Sequence, residues 1–466
     1  MFIETTQTSS SEATKGGNSL FGISLIAALA GFIFGFDTVV ISGADLPIQN
    51  LWHTNLISPW FHGFFIMSMA LWGTVAGALL GGIPTQKYGR KKILIWVGIL
   101  FTVSSIGSAL ATNPYIFSFF RFIGGLGIGV SSVAAPTYVS EISTPATRGR
   151  LGAMYQFNIV FAILVAYISN YLLKGVGGEN DWRYMLGVMA IPSLIYSILV
   201  FGIPESPRWL ITKGREDEAR KILNKLGFIN ADAEIASVKD GIRHEDGGSK
   251  RERFFSAKHT TILWLAFLVA FFNQTSGINF ILYYAPRILE SAGLASKDSL
   301  LSSITIGATN LVFTFVGLYL IDKAGRKTLL LIGSLGYIVS LSAVAWCFYT
   351  HASAGLLTFF LAMFIASHAV GQGAVIWVFI SEIFPNRIRA LGQSFGAGTH
   401  WVFAALITLF APTFIDSENG IFKDNPYPIF IFFAFMMVLQ LIWVLTKVPE
   451  TKGKSLEQIQ GELGMG

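Results

Sequence analysis

The sequence predicts an all-α membrane protein with twelve transmembrane helices in two pseudo-symmetric six-helix bundles, joined by a cytoplasmic helical loop. Hydrophobic residues make up 53% of the 466 residues and charged residues only 13%, which is atypical of a soluble domain. The apolar residues form runs that are close to the ~20 residues a spanning helix needs. One long polar segment, 204–259, separates six of these runs from six others.

The predicted helices divide the chain into five parts. We expect a cytoplasmic N-terminal tail at 1–19, a first bundle at 20–203, a cytoplasmic helical linker at 204–259, a second bundle at 260–448 and a cytoplasmic C-terminal tail at 449–466. The apolar runs of the first bundle lie near 20–41, 61–83, 93–112, 115–141, 151–173 and 183–203. Those of the second lie near 260–289, 300–321, 328–349, 355–384, 390–415 and 427–448. No signal-peptide pattern precedes the first run, so we expect it to remain as helix 1.

The orientation follows from the basic residues, which cluster in the loops after the even-numbered helices. These loops contain Lys87, Arg90, Lys91 and Lys92, then Arg148 and Arg150, the basic linker, Lys323, Arg326 and Lys327, and finally Arg387 and Arg389. The loops at 45–60, near 113 and near 351 contain no Lys or Arg. Because cytoplasmic loops carry the excess of basic residues, we expect both termini and the linker in the cytoplasm. The net charge of +6 is therefore interpreted as an orientation signal, and we expect no nucleic-acid partner.

The linker contains a helical pattern of its own. In GREDEARKILNKLGF the apolar residues Ala219, Ile222, Leu223 and Leu226 recur at helical spacing among charges, which predicts short amphipathic helices against the cytoplasmic face. The alternative is a merely solvated linker.

The two halves repeat each other, because three motifs recur in the same order at a slowly growing offset. The pairs are Gln86 with Asp322 in the GRK loops at an offset of 236, Glu141 with Glu382 at 241, and Glu205 with Glu450 at 245. The first offset also takes Asp37 in helix 1 to Asn273 in helix 7. Such duplication is how many transporters build two bundles around a midplane site.

Longer motifs resemble one known family. They are GFDTVVISGA, the two GRK loops, RFIGGLGIGVSSVAAPTYVSEISTPATRGRLGAMYQ, PESPRWL, NQTSGINFILYYAP, WVFISEIFP and VPETKGKSL. Together they cover nearly the whole chain and resemble the sugar porter family of the major facilitator superfamily, which includes proton-coupled monosaccharide symporters and glucose facilitators. The resemblance implies transport of a monosaccharide, a hexose or a pentose, by alternating access.

The polar residues inside the apolar runs suit a sugar. Sugar hydroxyls donate and accept hydrogen bonds, as side-chain amides do, and an aromatic ring matches the apolar C–H face without placing a charge in the bilayer. The resemblance implies sugar contacts at Gln156, Asn273, Gln274, Asn279, Tyr283, Trp377, His400 and Trp401, with Tyr283 and Tyr284 gating the outer side. Gln274 and Asn279 are five residues apart, so they share one ligand more easily if Gly277 loosens the helix.

These assignments have alternatives. An intramembrane amide such as Gln156 can simply join two helices, and a Trp can belong to the interfacial belt. The chain departs from the family at Asn273, where Gln is usual, at His400, where Asn or Gln is usual, and at Ala374, where Pro is usual. The first two changes alter the reach and hydrogen bonding of the site, so the sequence leaves the identity of the sugar open. We expect His400 to be a neutral hydrogen-bonding residue, although histidine can also titrate near neutral pH.

Asp37 is a candidate proton-coupling residue. It lies within helix 1, where a charge is costly unless it is neutralised or paired, and Arg121 is similarly embedded at the start of the helix 4 run. Such a pair can exchange a salt bridge for a protonated acid. In the family that the chain resembles, this acid with this Arg marks proton symporters, and facilitators tend to lack the acid. The alternative is a permanent structural salt bridge.

Acids and bases at the predicted cytoplasmic helix ends form a candidate gate. They are Arg90, Glu141, Arg148 and Glu205 in the first half, and Arg326, Glu382, Arg389 and Glu450 in the second. A network that bridges both bundles can set which state is open, and the resemblance implies that it fastens the cytoplasmic side when the outside is open. Gln86 replaces the usual Asp, so we expect asymmetry. The alternative is that these charges only set the orientation in the membrane. The positive-inside rule would account for the Arg residues but does not require the Glu residues.

The sequence thus predicts a proton-coupled monosaccharide importer of the cell membrane, the inner or plasma membrane. The alternatives are an uncoupled sugar facilitator and, further away, a sugar-sensing receptor of the same fold. No enzymatic activity is expected, since the seven His residues are scattered and no nucleophile motif is present. We expect no cofactor and no metal, and a monomer whose partners are the sugar, protons and the lipid bilayer. The single cysteine, Cys347, is interpreted as a small packed hydrophobic residue.

Overall fold

A computed structural model describes residues 13–52, 58–144, 147–228, 230–247, 254–385, 388–454 and 456–463, and within these ranges it contains helices and no strand. Eleven of these helices are long and apolar enough to cross a membrane, and a pair bent by 46° brings the number to twelve. The all-α class and the twelve predicted spans are therefore confirmed.

We number the spans α1 to α12. The first six are α1 (Ala13–Leu51), α2 (Pro59–Met67 and Met69–Leu80), α3 (Arg90–Leu110), α4 (Pro114–Ile142), α5 (Arg148–Leu173) and α6 (Gly178–Val200). The second six are α7a (Thr260–Thr275) with α7b (Ile278–Ser291), α8 (Ser296–Ala324), α9 (Arg326–Tyr349), α10 (Ala354–Val370 and Gln372–Ile383), α11 (Arg389–Ile415) and α12 (Tyr427–Lys447).

Helix α1 continues well beyond its predicted end near residue 41 and reaches Leu51. The polar residues Asp45 and Gln49, which interrupt the apolar pattern, form hydrogen bonds with His62 on α2 and with Asp416 just after α11. Because these partners satisfy the polar side chains, the helix does not have to end where its hydropathy falls.

The duplication predicted from the motifs is visible in the packing. In the first half α1 packs on α5, α2 on α4, and α3 on both α4 and α6. In the second half α7a packs on α11, α8 on α10, and α9 on both α10 and α12. Adding six to each helix number of the first half gives the pairs of the second, so both halves have the same internal arrangement.

The two halves meet through α1 with α7b, α2 with α11, and α5 with α8. Some of these contacts are very close: a Cβ added to Gly63 on α2 would lie 1.9 Å from the carbonyl oxygen of Leu409 on α11. Small residues allow this approach, which is the usual way in which membrane helices gain van der Waals contact.

The linker folds as predicted where it is described. Helices Pro207–Thr212, Glu216–Lys225 and Ala231–Gly247 follow α6, and Ala219 and Leu223 are buried in a small apolar cluster with Trp209. We call the end of the bundle that carries the linker and both GRK loops the linker side, and the opposite end the distal side.

Helix α7 is broken where the sequence suggested. Gly277 has φ +87°, between the last residue of α7a and the first of α7b. This left-handed conformation is open to glycine but strained for other residues. A Cβ at Gly277 would also lie 2.6 Å from the ring of Phe433.

We expect Gly277→Ala to lower the Tm of the detergent-purified protein more than Gly293→Ala does. Gly293 also has positive φ, but a Cβ there would meet nothing within 4 Å. Both variants carry backbone strain of about 1–3 kcal/mol, and only the first adds overpacking against Phe433, typically about 1–3 kcal/mol more. Equal Tm shifts would show that the close contact at Phe433 is unimportant.

Candidate functional site

The break in α7 brings together the amides that the sequence placed on opposite sides of a regular helix. Asn279 Nδ2 donates to Gln274 Oε1 over 2.9 Å. Gln274 Nε2 in turn donates to Asn273 Oδ1 over 2.9 Å and lies 3.2 Å from the ring nitrogens of His400. Both hydrogen-bonding ends of Gln274 are therefore held in place by neighbouring side chains.

These amides border a cavity between the two halves. Its lining consists of Phe34 and Thr38 on α1, Gln156, Ile159, Val160 and Ile163 on α5, Asn273, Gln274, Ile278, Asn279, Leu282 and Tyr283 on α7, Asn310 and Thr314 on α8, His368, Ala369 and Gly373 on α10, and His400 and Trp401 on α11. The wall thus combines amides, hydroxyls and imidazoles with aromatic and aliphatic faces. Such a wall suits a small neutral polyhydroxylated molecule.

Seven of the eight predicted substrate residues line this cavity, and Trp377 does not. Its side chain is 40% exposed, and its ring lies 5.0 Å from that of His400. Trp377 therefore flanks the cavity through His400. The ring of Trp401 lies 5.5 Å from that of Phe34, so an aromatic pair joins α11 to α1 at the wall.

The predicted gating tyrosines differ in position. Tyr283 lines the cavity, whereas the hydroxyl of Tyr284 donates to the Thr408 carbonyl oxygen over 2.8 Å. Tyr284 has non-helical backbone angles within α7b, two residues before Pro286. The neighbouring carbonyl of Leu282 accepts a 2.8 Å hydrogen bond from the Tyr167 hydroxyl on α5, which links α7b to the first half.

Sequence reasoning missed several residues of the wall. Asn310 is an amide inside an apolar run, the same signal that selected Gln156, and Thr314 lies one helical turn further along α8. His368 lies inside the α10 run, and its Nδ1 is 2.7 Å from the Tyr337 hydroxyl. Each of these positions is a polar residue within an apolar run, which is the signal that the sequence offers. Only the fold shows which face of α8 and of α10 borders the cavity.

Asp37 and Arg121 form the expected pair. Arg121 Nη1 donates to Asp37 Oδ1, and the two side chains are 1% and 2% exposed. Within the described part of the chain, Asp37 Oδ2 and Arg121 Nε and Nη2 have no hydrogen-bond partner. A single contact thus joins two buried charges, and Asp37 directly precedes Thr38 of the cavity wall.

The first-half gate residues form one cluster on the linker side. Arg90 binds Glu141 through Nε at 2.8 Å and Nη2 at 2.7 Å, a bidentate geometry favourable for an ion pair. Glu205 Oε1 accepts from the backbone N–H groups of Arg90 and Ser206, each over 2.9 Å, and of Lys91 over 3.0 Å. It therefore caps the start of α3.

The second half repeats this cluster. Arg326 binds Glu382 through Nε at 3.1 Å and Nη2 at 2.7 Å. Glu450 accepts from the backbone N–H groups of Arg326 over 2.9 Å and Lys327 over 3.0 Å at the start of α9. Asp322 adds an ion pair to Arg326 at 3.2 Å, which its counterpart Gln86 lacks the charge to make.

The structure thus brings six of the eight predicted gate residues together in two clusters of three, one in each half. Arg389 Nε donates to the Phe384 carbonyl oxygen over 3.4 Å. The side chain of Arg148 lies outside the described residues. Among the described gate side chains, each of these ion pairs joins residues of the same half, so the bridge between bundles that we expected is not seen in this conformation.

The chain is similar to known sugar transporters in both sequence and structure. A family profile described as "Sugar (and other) transporter" matches residues 23–463. The chain is 34% identical over 445 residues to the arabinose-proton symporter of Bacillus subtilis (strain 168), with 94% of each chain covered. It is 32% identical over 474 residues to the D-xylose-proton symporter of Escherichia coli (strain K12), with 95% of each covered. It is also similar to the solved structure of the E. coli xylose transporter in a partially occluded inward-open conformation, with a TM-score of 0.82 and 30% identity over 94% of this chain and 100% of that one.

We expect Arg121→Met to lower the free energy of unfolding by about 3–5 kcal/mol, because it leaves the Asp37 carboxylate buried without a partner. The double variant Asp37→Asn/Arg121→Met removes both charges and should recover part of this loss. Thermal unfolding of the purified proteins measures both effects. Arg220→Met is the matched control, since Arg220 forms exposed ion pairs that contribute at most about 1 kcal/mol. A double variant less stable than Arg121→Met would contradict the expectation.

Proposed function

Because the chain belongs to the sugar porter family of the major facilitator superfamily, we propose that it imports a monosaccharide together with protons by alternating access. The observation that carries this proposal is the position of Asp37, which is ion-paired to Arg121 and adjacent to a cavity wall rich in amides. Its relatives named as proton symporters for arabinose and D-xylose support both the substrate class and the coupling.

The cavity wall accounts for recognition of a neutral sugar. Gln274 is held by Asn279, Asn273 and His400, so its amide is already oriented when a ligand arrives. Sugar hydroxyls can replace these side-chain partners, since they donate and accept as amides do. Trp401 offers an aromatic face for the C–H groups, and the described lining residues carry no carboxylate that would select a cation.

Proton binding and sugar binding meet on α1. Asp37 lies between the cavity residues Phe34 and Thr38 on the same helix. A proton on Asp37 removes one charge of the pair and weakens the attraction that holds α1 to Arg121 on α4. The freed helix can then move with the cavity wall that it carries. Protonation thereby biases the equilibrium between the two open states.

We also propose that the linker side faces the cytoplasm, with both termini there, in the cell membrane. The basic residues of the GRK loops and of the linker support this orientation. The two linker-side clusters then act as internal braces that keep each bundle rigid while it rocks. Arg90 with Glu141 and Arg326 with Glu382 fix neighbouring helix ends within each bundle.

The proposal predicts concentrative, proton-dependent uptake. In cells without their own sugar carriers, one pentose or hexose of a radiolabelled panel should accumulate, and a protonophore should abolish the accumulation. One proton entering across ~100 mV supplies about 2.3 kcal/mol, which permits on the order of 50-fold accumulation of a neutral sugar. Uptake that only equilibrates and ignores the protonophore would support an uncoupled facilitator, with Asp37 in a purely structural pair.

We expect Asp37→Asn to keep sugar exchange between the two sides but to lose accumulation, because the side chain no longer carries the proton. Asp232→Asn is the control, since Asp232 is an exposed linker carboxylate paired with Arg220, and it should accumulate sugar normally. Counterflow and net uptake in the same vesicles separate the two activities. Equal concentrative uptake by Asp37→Asn and the parent protein would refute proton coupling through this residue.

A second substitution tests whether the cavity amide binds substrate or only joins helices. Gln274→Ala should raise the KM for the sugar by roughly 5- to 150-fold, the equivalent of about 1–3 kcal/mol for a lost buried hydrogen-bond partner. Gln440→Ala is the matched control: Gln440 is a buried amide bonded to Gln372 and Ser334 and absent from the cavity wall. It should lower Tm and leave KM unchanged. Similar KM values for both variants would reduce Gln274 to a structural role.

A further inference from the structure

A second buried ionic cluster lies on the distal side, about two helical turns along α1 from Asp37. Arg287 on α7b is its centre: Nη1 is 3.3 Å from Asp45 Oδ2 on α1, and Nη2 is 3.1 Å from Asp416 Oδ2 just after α11. All three side chains are at most 6% exposed. We call Asp45, Gln49, His62, Arg287 and Asp416 the distal cluster.

The remaining two members complete the network. His62 Nε2 on α2 lies 2.6 Å from Asp45 Oδ1, and Gln49 Nε2 donates to Asp416 Oδ2. Asp416 is also positioned by its own loop, since its Oδ1 accepts from the backbone N–H groups of Glu418 over 3.1 Å and Asn419 over 2.8 Å. Every charged member therefore has at least two directed contacts, so none of these buried charges is left unpaired.

Asp416 is held in its charged form. Burial alone would raise its pKa, but the hydrogen bonds from Asn419 and Gln49 and the charge of Arg287 hold the pKa of Asp416 below its ordinary value. A carboxylate that stays ionised beside a guanidinium keeps the ion pair intact at physiological pH.

The distal cluster crosses between the halves, unlike the clusters on the linker side. Asp45 and Gln49 belong to the first half, whereas Arg287 and Asp416 belong to the second. Two contacts therefore bridge the bundles, Arg287 to Asp45 and Gln49 to Asp416. The close approach of α2 to α11 at Gly63 brings the same pair of halves together.

We propose that the distal cluster is an ionic lock, which holds the distal side closed and has to open before the cavity can face that side. This inference rests on the alternating access proposed above and adds the residues that set the equilibrium between the open and closed states of the distal side. In the closed state the paired charges are shielded from water. When the halves separate, water replaces Asp45 as the partner of Arg287, so the strength of the lock determines how often the distal side opens.

The spacing along α1 supplies a reporter for this opening. Phe34 and Thr38 line the cavity, and Asp45 and Gln49 contact the second half. Positions three or four apart share one helix face, so Ile41 lies between the cavity and the lock on that face. Ile41 is fully buried, and water should reach it from the distal side only when the lock opens. The single native cysteine, Cys347, can be replaced by Ser to give a clean background.

The experiment measures the rate at which a membrane-impermeant thiol reagent, added outside intact cells, modifies Ile41→Cys in the Cys347→Ser protein. We expect slow labelling in this parent and a rise on the order of tenfold when Arg287→Met is added, because a minor open state of about 0.1–10% leaves room for such an increase. Gln49→Leu, which removes one bridging hydrogen bond and no charge, should give a smaller rise. Arg326→Met is the matched control: it removes a paired guanidinium on the linker side and should not increase labelling.

Unchanged or slower labelling in both Arg287→Met and Gln49→Leu would overturn the lock. If Arg287→Met does not fold, as judged by size-exclusion chromatography, Gln49→Leu decides the outcome alone. Labelling needs no sugar, so the result is independent of substrate identity. If the lock variants label faster but the parent protein accumulates no sugar, the lock is supported and the proposed coupled transport is rejected.

Discussion

The buried contact between Asp37 and Arg121 is the interaction on which the arrangement of the first half depends. Removing two charges from water costs several kcal/mol for each ion, and their attraction offsets this cost only while they remain in contact. The pair therefore fixes α1 against α4 at one depth. Helix α1 also carries residues of the cavity wall and of the distal cluster, so a change at this single contact reaches both regions through one rigid element.

The cavity follows from a second constraint, the interruption of α7 at Gly277. An unbroken helix would separate Gln274 and Asn279 around its circumference, whereas the left-handed glycine lets the two amides bond directly. The free backbone groups at such a break are tolerated in a membrane protein where they border a cavity or are buried in protein. A site whose amides are already paired also discriminates strongly, because a ligand that lacks a hydroxyl leaves one of them unpaired.

Much of the fold could be predicted from the sequence, because bilayer thickness limits helix length and the repeated motifs reveal the duplication. The amides of α7 could also be identified from the sequence, since polar residues are conspicuous in apolar runs. The length of α1 was not predictable, because Asp45 looks like the end of a span until its partner Arg287, 242 residues later, is known. Whether Asn310 and His368 face the cavity depends on how α8 and α10 are rotated about their axes. The division of the gate residues into two clusters depends on the conformation of the protein. Hydropathy contains no information about helix rotation or about conformation.

The capping of α3 by Glu205 and of α9 by Glu450 has a consequence for biosynthesis. Each carboxylate comes from the end of its own repeat and closes the start of that repeat's third helix. The start of α3 can therefore be capped once the ribosome has released Glu205 and Ser206, before any of α7 exists. Domains fold as units during synthesis, the N-terminal one first, and here the second unit can assemble against a first unit whose α3 is already capped. Glu450 lies just beyond α12, so a truncation that removes Glu450 would leave α9 uncapped, whereas a fusion partner attached well after Glu450 would leave this cap intact.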